Sequence, residues 1–203
     1  AGAIGTEGGD LVVGTGSVAI QFCDGATAIR PYNITSNAGN DANFDLGTSA
    51  LRFKDIYLSG GIALGGTGAA NTLDDYEEGT WTGIVGGGGS TYTQNTGYYR
   101  KVGDLVYFQI YMVVNTRSSG SRVYLGGLPF TSRVDHADGR YPVSAGRWNT
   151  LHVNTIGLYP FVASNGTTMS CDGQASSGTS VSTNIEIWTS GTNVSFAGCY
   201  LAQ

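Results

Sequence analysis

The sequence is short of charge, and of basic residues above all. Only 12% of its 203 residues are charged, ten Lys and Arg stand against fifteen Asp and Glu, and the formal charge is −5. A phosphate backbone is bound by clustered Lys and Arg that displace its counterions, so nucleic acid is excluded as a partner. Long apolar runs are missing as well. No window approaches the roughly 18 apolar residues of a membrane span, and no basic stretch followed by an apolar one opens the chain. The sequence therefore predicts neither membrane insertion nor a signal peptide. Leu11 to Phe22 is the most apolar early stretch, but Gly14, Gly16 and Ser17 interrupt it.

Cysteine is scarce too. Cys23, Cys171 and Cys199 are odd in number and lack the C-x-x-C spacing of zinc sites. They read as buried free thiols, in preference to a Cys171–Cys199 disulfide, which fits assembly in a reducing cytoplasm. No cofactor or metal is expected. The D-x-N-x-D spacing from Asp41 to Asp45 lacks the glycine and the distal glutamate of a calcium loop and reads as an Asx-rich turn. Gly65 to Gly68 and Gly86 to Gly89 lack the Lys-Ser/Thr and the helix start of a phosphate cradle.

What remains is rich in Gly, Ser, Thr, Asn and Tyr, with 33 glycines and 12 tyrosines. That composition disfavours helices and favours short strands joined by tight turns, so an all-β chain is expected. In residues 1–60 the pieces are short: Asp10 to Gly14, Val18 to Phe22, Ala28 to Tyr32 and Asn43 to Leu46. Each carries two or three core-type side chains. That is too little to offset a backbone ordering cost of roughly 1–2 kcal/mol per residue, so identical chains wound about a common axis are expected to supply the missing cover.

Residues 61–80 read as a junction, a Gly-rich joint followed by four acids, Asp74, Asp75, Glu77 and Glu78. Adjacent acids beside a flexible joint are a poor platform for paired glycosidase carboxylates, and a solvated or salt-bridged collar, facing Arg52 and Lys54 of a neighbouring chain, is the preferred reading. From residue 81 on the strands lengthen. In Leu105 to Val114 the even positions Val106, Phe108, Ile110, Met112 and Val114 are apolar, while Tyr107, Gln109 and Tyr111 lie on the other face. Arg122 to Phe130, Thr150 to Ile156, Gly157 to Ala163, Thr183 to Trp188 and Asn193 to Leu201 read as further strands. About eight strands with regular turn signals point to an antiparallel β-sandwich or jelly roll over residues 81–203.

The candidate site lies in residues 131–150, read as a long connection between strands. It carries Arg133, Arg140 and Arg147 together with Asp135, His136, Asp138, Tyr141 and Trp148. Carboxylates and guanidinium groups bond sugar hydroxyls, and an aromatic ring stacks on a sugar's C–H face. The alternative is a solvated loop with Trp148 plugging the core. Ser164 to Ser180 is read as part of the same rim, and Trp188 and Tyr159 as core. No nucleophile elbow frames a serine, so no catalytic residues and no enzymatic activity are expected.

Several segments together resemble the distal part of tail fibre proteins of tailed bacteriophages. They are Asp45-Leu-Gly-Thr-Ser-Ala-Leu-Arg-Phe-Lys-Asp-Ile-Tyr-Leu-Ser-Gly-Gly61, Leu64-Gly-Gly-Thr-Gly-Ala-Ala-Asn71, Leu73-Asp-Asp-Tyr-Glu-Glu-Gly-Thr-Trp-Thr82, Gly97-Tyr-Tyr-Arg-Lys-Val-Gly103, Gly127-Leu-Pro-Phe130 and Phe196-Ala-Gly-Cys-Tyr200, with Ala28-Ile-Arg-Pro31 upstream. The likeness departs at Gly83, where the pattern has proline. It departs again in its two histidines, His136 and His152, which form no H-x-H pair, so an axial iron site is not implied. The resemblance implies a homotrimer with an elongated, intertwined β shaft and a jelly-roll-like β-sandwich head, carried at the distal end of a virion's tail fibre and assembled in the host cytoplasm. Its implied partners are two further copies, upstream tail proteins and a bacterial surface glycan such as lipopolysaccharide, or an outer-membrane protein. A chain opening on Ala1 is then expected to be a piece of a longer fibre. A surface-polysaccharide depolymerase or deacetylase, or a purely structural trimerisation module, are the competing expectations.

Overall fold

The computed structural model describes residues 3–66, 72–73, 75–86, 88–120, 123–134, 139–152, 155–175 and 186–203. Among the described residues there is no helix, and every sheet is antiparallel, so the fold is all-β. The chain divides into two compact units, Ala1–Leu58 and Ser59–Gln203.

The first unit is one sheet of five strands in chain order: β1 (Ala3–Glu7), β2 (Asp10–Thr15), β3 (Val18–Cys23), β4 (Ala28–Asn33) and β5 (Ala38–Gly39). Two-residue hairpins at Gly8-Gly9 and Gly16-Ser17 join the first three. Gly16, at φ 55°, supplies the left-handed backbone such a turn requires. The alternation of strand residues sends Val12, Ala19 and Tyr32 into a small core and the opposite set outward. Asn43 to Leu46, expected as a strand, forms bends instead. Asn43 Nδ2 donates to Asn40 Oδ1 at 2.8 Å, and Asn40 Nδ2 in turn donates to the Ser17 carbonyl at 2.5 Å. Asx side chains compete with ladder bonding in this way, and the segment turns as a result.

In the second unit, β6 (Ile62–Ala63) pairs with β7 (Thr72–Leu73). The remaining strands are β8 (Tyr76–Trp81), β9 (Ile84–Val85), β10 (Thr91–Val102), β11 (Leu105–Thr116), β12 (Tyr124–Gly126), β13 (Arg140–Asn149), β14 (Thr155–Ala163), β15 (Thr168–Ala175) and β16 (Asn193–Leu201). They form one sheet in the order β8-β10-β11-β16-β13-β14-β15-β12-β9, curled into a half-barrel. The inward set of β11 packs with Val194, Phe196 and Tyr200 of β16 and with Leu125, Leu158, Val162 and Met169 from the other end of the sheet. Phe108 meets Trp81 and Tyr200 edge-on, with ring centroids 5.9 and 5.8 Å apart.

β13 is the hinge of this curl. Arg140 to Pro142 pair with β14, and Val143 to Asn149 pair with β16. Pro142, which has no N–H to give, stands at the changeover, where a ladder donor is least needed. A bulge between Ala145 and Arg147 bends the strand further. The connection expected over residues 131–150 is therefore a ten-residue strand for half its length. The rim expected over Ser164 to Ser180 likewise contains β15. Trp188 is buried as expected, but Tyr159 is exposed, because β14 alternates and places it opposite Leu158 and Pro160. Of the cysteines, all free, Cys171 is buried, Cys23 half-buried and Cys199 exposed on the outer face of β16.

Gly83 links β8 to β9 through the core. Its N–H donates to Asn95 Oδ1 and its carbonyl accepts from Asn95 Nδ2, both at 2.8 Å. A Cβ at this position would lie 2.3 Å from Met112 Cε and 2.7 Å from Leu125 Cδ1. A proline would lose the donated bond and meet the same atoms. The departure from the resembled pattern is thus built into the packing.

Candidate functional site

Asp135, His136 and Asp138 lie outside the described residues. The other five predicted site residues fall into two groups. Arg133 is ion-paired with Asp104, and its carbonyl accepts a hydrogen bond from the Tyr141 hydroxyl at 3.0 Å. Arg140 Nη1 donates to Asp172 Oδ2 at 2.9 Å, and its guanidinium lies 4.4 Å from the Phe161 ring centroid. Tyr141 packs edge-on against Tyr200. Arg147 and Trp148 stand near the other end of β13, seven strand residues from Arg140, or about 23 Å at the usual strand rise. Arg147 lies opposite Ser195, whose side chain is on the outer face, while Trp148 lies opposite the buried Val194 and is 37% exposed.

Of the four acids before Trp81, Asp74 lies outside the described residues, and the other three have partners within their own chain. Asp75 is ion-paired with Lys101, which is buried and lies 5.5 Å from the Phe130 ring centroid. Glu77 accepts a short hydrogen bond from Tyr99. Glu78 Oε2 lies 3.4 Å from Arg100 Nε and accepts from the Tyr76 hydroxyl at 3.0 Å. These bonds favour the neutral form of each phenol. Tyr76 and Tyr99 have pKa values raised above the ordinary tyrosine value chiefly by the hydrogen bonds they donate to Glu78 and Glu77. Residues 76–81 are therefore a strand of the main sheet, and the expected salt bridges run to Lys101 and Arg100 on β10 of the same chain.

A concavity lies on the outer face of the same sheet. Register places Tyr98 opposite Gln109, Arg100 opposite Tyr107 and Thr96 opposite Tyr111, all pointing away from the core. On the next strand Ala197 lies opposite Gln109 and Ser195 opposite Tyr111, and Ser144 of β13 follows opposite Ala197. Large side chains on β10 and β11 thus border small ones on β16 and β13. The result is a groove in two connected parts that share Tyr98 and Gln109. One part, of about 350 Å³, is floored by Ser144, Gly146, Ser195 and Ala197. The other, of about 680 Å³, runs past Glu78, Thr80, Arg100 and Tyr107.

The groove walls are partly fixed. The Tyr111 hydroxyl accepts from Asn193 Nδ2 at 3.2 Å, and the Tyr107 hydroxyl approaches Gln109 Oε1 at 3.4 Å. Tyr98 is 54% exposed, and its hydroxyl has no partner among the described residues. The arrangement offers ring faces for stacking and amide and hydroxyl groups for hydrogen bonding. The alternation of β11 already shows in the sequence that Tyr107, Gln109 and Tyr111 share a face, whereas Tyr98 and the small-residue floor join them only through cross-strand register. Among the described residues no group of three or more His, Cys, Asp or Glu side chains is placed to hold a metal ion. Comparison with protein-family models, with curated proteins and with solved structures finds no match to this chain.

Proposed function

We propose that this chain is the distal, receptor-binding part of a tailed-bacteriophage tail fibre. Three copies associate through residues 3–58 as an intertwined β shaft, and residues 59–203 form a jelly-roll-like head that binds a bacterial surface glycan or an outer-membrane protein during host adsorption. Its other partners are upstream tail proteins, and its place is the distal end of the fibre on the virion.

One observation carries the reading. In the first unit one sheet face is largely apolar and open to solvent. Register lines up Ile4, Val13, Ile20 and Pro31 across β1 to β4, with Leu11, Phe22 and Ile29 in the neighbouring row. Ile4 is 79% and Ile29 67% exposed. A contiguous aliphatic face of this kind marks an association surface. A face repeated on identical chains is its own complement about a symmetry axis, so further copies are the natural cover.

Sedimentation tests the reading. The chain is expected to run as a species of three copies, to dissociate when Ile20→Glu and Phe22→Glu are introduced together, and to adsorb to susceptible bacterial cells in the associated form. A folded monomer that persists as concentration is raised would overturn it, and so would a trimer that adsorbs to no bacterial surface.

A further inference from the structure

We propose that the outer groove over Tyr98, Gln109 and Ala197 is a binding site for uncharged pyranose units of a bacterial surface polysaccharide. It deepens the receptor-binding reading, on which the choice of a bacterial polysaccharide rests, and of residues 131–150 it keeps only Ser144 and Gly146, in the floor.

Three features select a sugar. The first is shape. Small residues on β16 and β13 floor the groove, tyrosines on β10 and β11 wall it, and a volume of about 350 Å³ in the narrower part is of the size that ligand sites occupy. The second is chemistry. A pyranose presents an apolar C–H face and a rim of hydroxyls, and here Tyr98, Tyr107 and Tyr111 supply ring faces around the Gln109 amide, with Thr96, Ser144 and Ser195 hydroxyls beside it.

The third is charge. The charged residues lining the groove, Glu78 and Arg100, pair with each other at 3.4 Å, so the lining itself carries no net charge.

A second copy of the chain fits this face poorly. Interface cores are depleted of charged residues, and a dry neighbour would bury Gln109, Thr96, Ser144 and Ser195 without assured partners. The aliphatic face of residues 3–58 has the opposite character and suits a copy. The two exposed faces thus differ in chemistry as their occupants do.

The experiment uses the full chain against an array of purified O-polysaccharides and capsular polysaccharides, neutral and acidic. Neutral members are expected to bind, with Tyr98→Ala and Gln109→Ala each weakening binding at least about tenfold, as removal of a central anchor does. Ala197→Trp, which fills the floor, is expected to abolish it, and this variant carries the test should Tyr98→Ala fold poorly. No neutral polysaccharide bound, a preference for acidic ones, or binding unchanged in Ala197→Trp would each overturn the proposal. So would dissociation of the copies by Tyr98→Ala, which would make this face an interface. A monomeric chain that still binds neutral sugar through Tyr98 leaves the groove standing and sinks the fibre reading. A trimer that adsorbs to cells equally well with Ala197→Trp does the reverse.

Discussion

The two units share one secondary structure and differ in where their apolar side chains go. In residues 59–203 the curled sheet folds its inward row onto itself, so Val106, Phe108, Met112 and Val114 are fully enclosed. In residues 3–58 the sheet encloses Val12, Ala19 and Tyr32 as its apolar core and leaves Ile4, Leu11, Val13, Ile20, Phe22 and Ile29 exposed. A strand pattern therefore states which face is apolar, but whether that face is buried depends on what packs against it. One unit supplies its own cover, and the other is left needing it.

The largest expected break in this contrast is Phe108→Ala. Removing a ring enclosed between Trp81 and Tyr200 should lower the stability of the second unit by about 3–5 kcal/mol in denaturant titration. Next comes Asn95→Ala, which leaves the buried Gly83 N–H and carbonyl without their partner and should cost about 1–3 kcal/mol by the same measurement. Gly83→Pro, although it restores the residue of the resembled pattern, is expected to destabilise as well.

A smaller effect is expected from alkaline pH. Burial raises the Tyr200 phenol from 10.0 to about 12, against the opposing hydrogen bond with Phe130. The folded form resists ionisation more than the unfolded chain does. Its contribution is therefore fully present below pH 10 and is lost as pH rises through about 12. Melting followed across that window should fall more steeply in the parent chain than in Tyr200→Phe, which has no phenol to ionise.

The smallest effect on a single chain is expected from Phe22→Ala. On the dissociated chain it should change stability by less than about 0.5 kcal/mol, since the ring is exposed there. At concentrations where copies meet, the same substitution should weaken association measurably in sedimentation. A large loss on the dissociated chain would mean that the first unit covers this face itself.

Much of the fold was legible. Strict alternation in Leu105 to Val114 identified a half-buried strand and its inward row, and the short pieces from Asp10 to Tyr32 matched β2 to β4. β13 was not legible, because Pro142 and Gly146 interrupt it and Arg140, Tyr141, Arg147 and Trp148 at its two ends mask its alternation. β15 was hidden for a related reason: Ser, Gly and Thr are common to loops and to strands whose partners are large. The site was half legible. Tyr107 and Tyr111 announced their face, whereas Tyr98, Ser195 and Ala197 reach it only by pairing across strands of widely separated sequence.

By itself the sequence determined the class of structure and the two compositions, since glycine, β-branched and aromatic residues set backbone preference locally, and the period of two assigns faces without reference to any partner. It also determined how little charge there is for binding polyanions. Only the tertiary structure decided which strands are neighbours and in what register. Those two facts place small side chains beside large ones to hollow a groove, and they join Gly83 to Asn95 and Arg140 to Asp172. Hydrogen bonding between strands is blind to side-chain identity, so neighbours are chosen by the packing of the whole core, and the groove on its outer face follows from that choice.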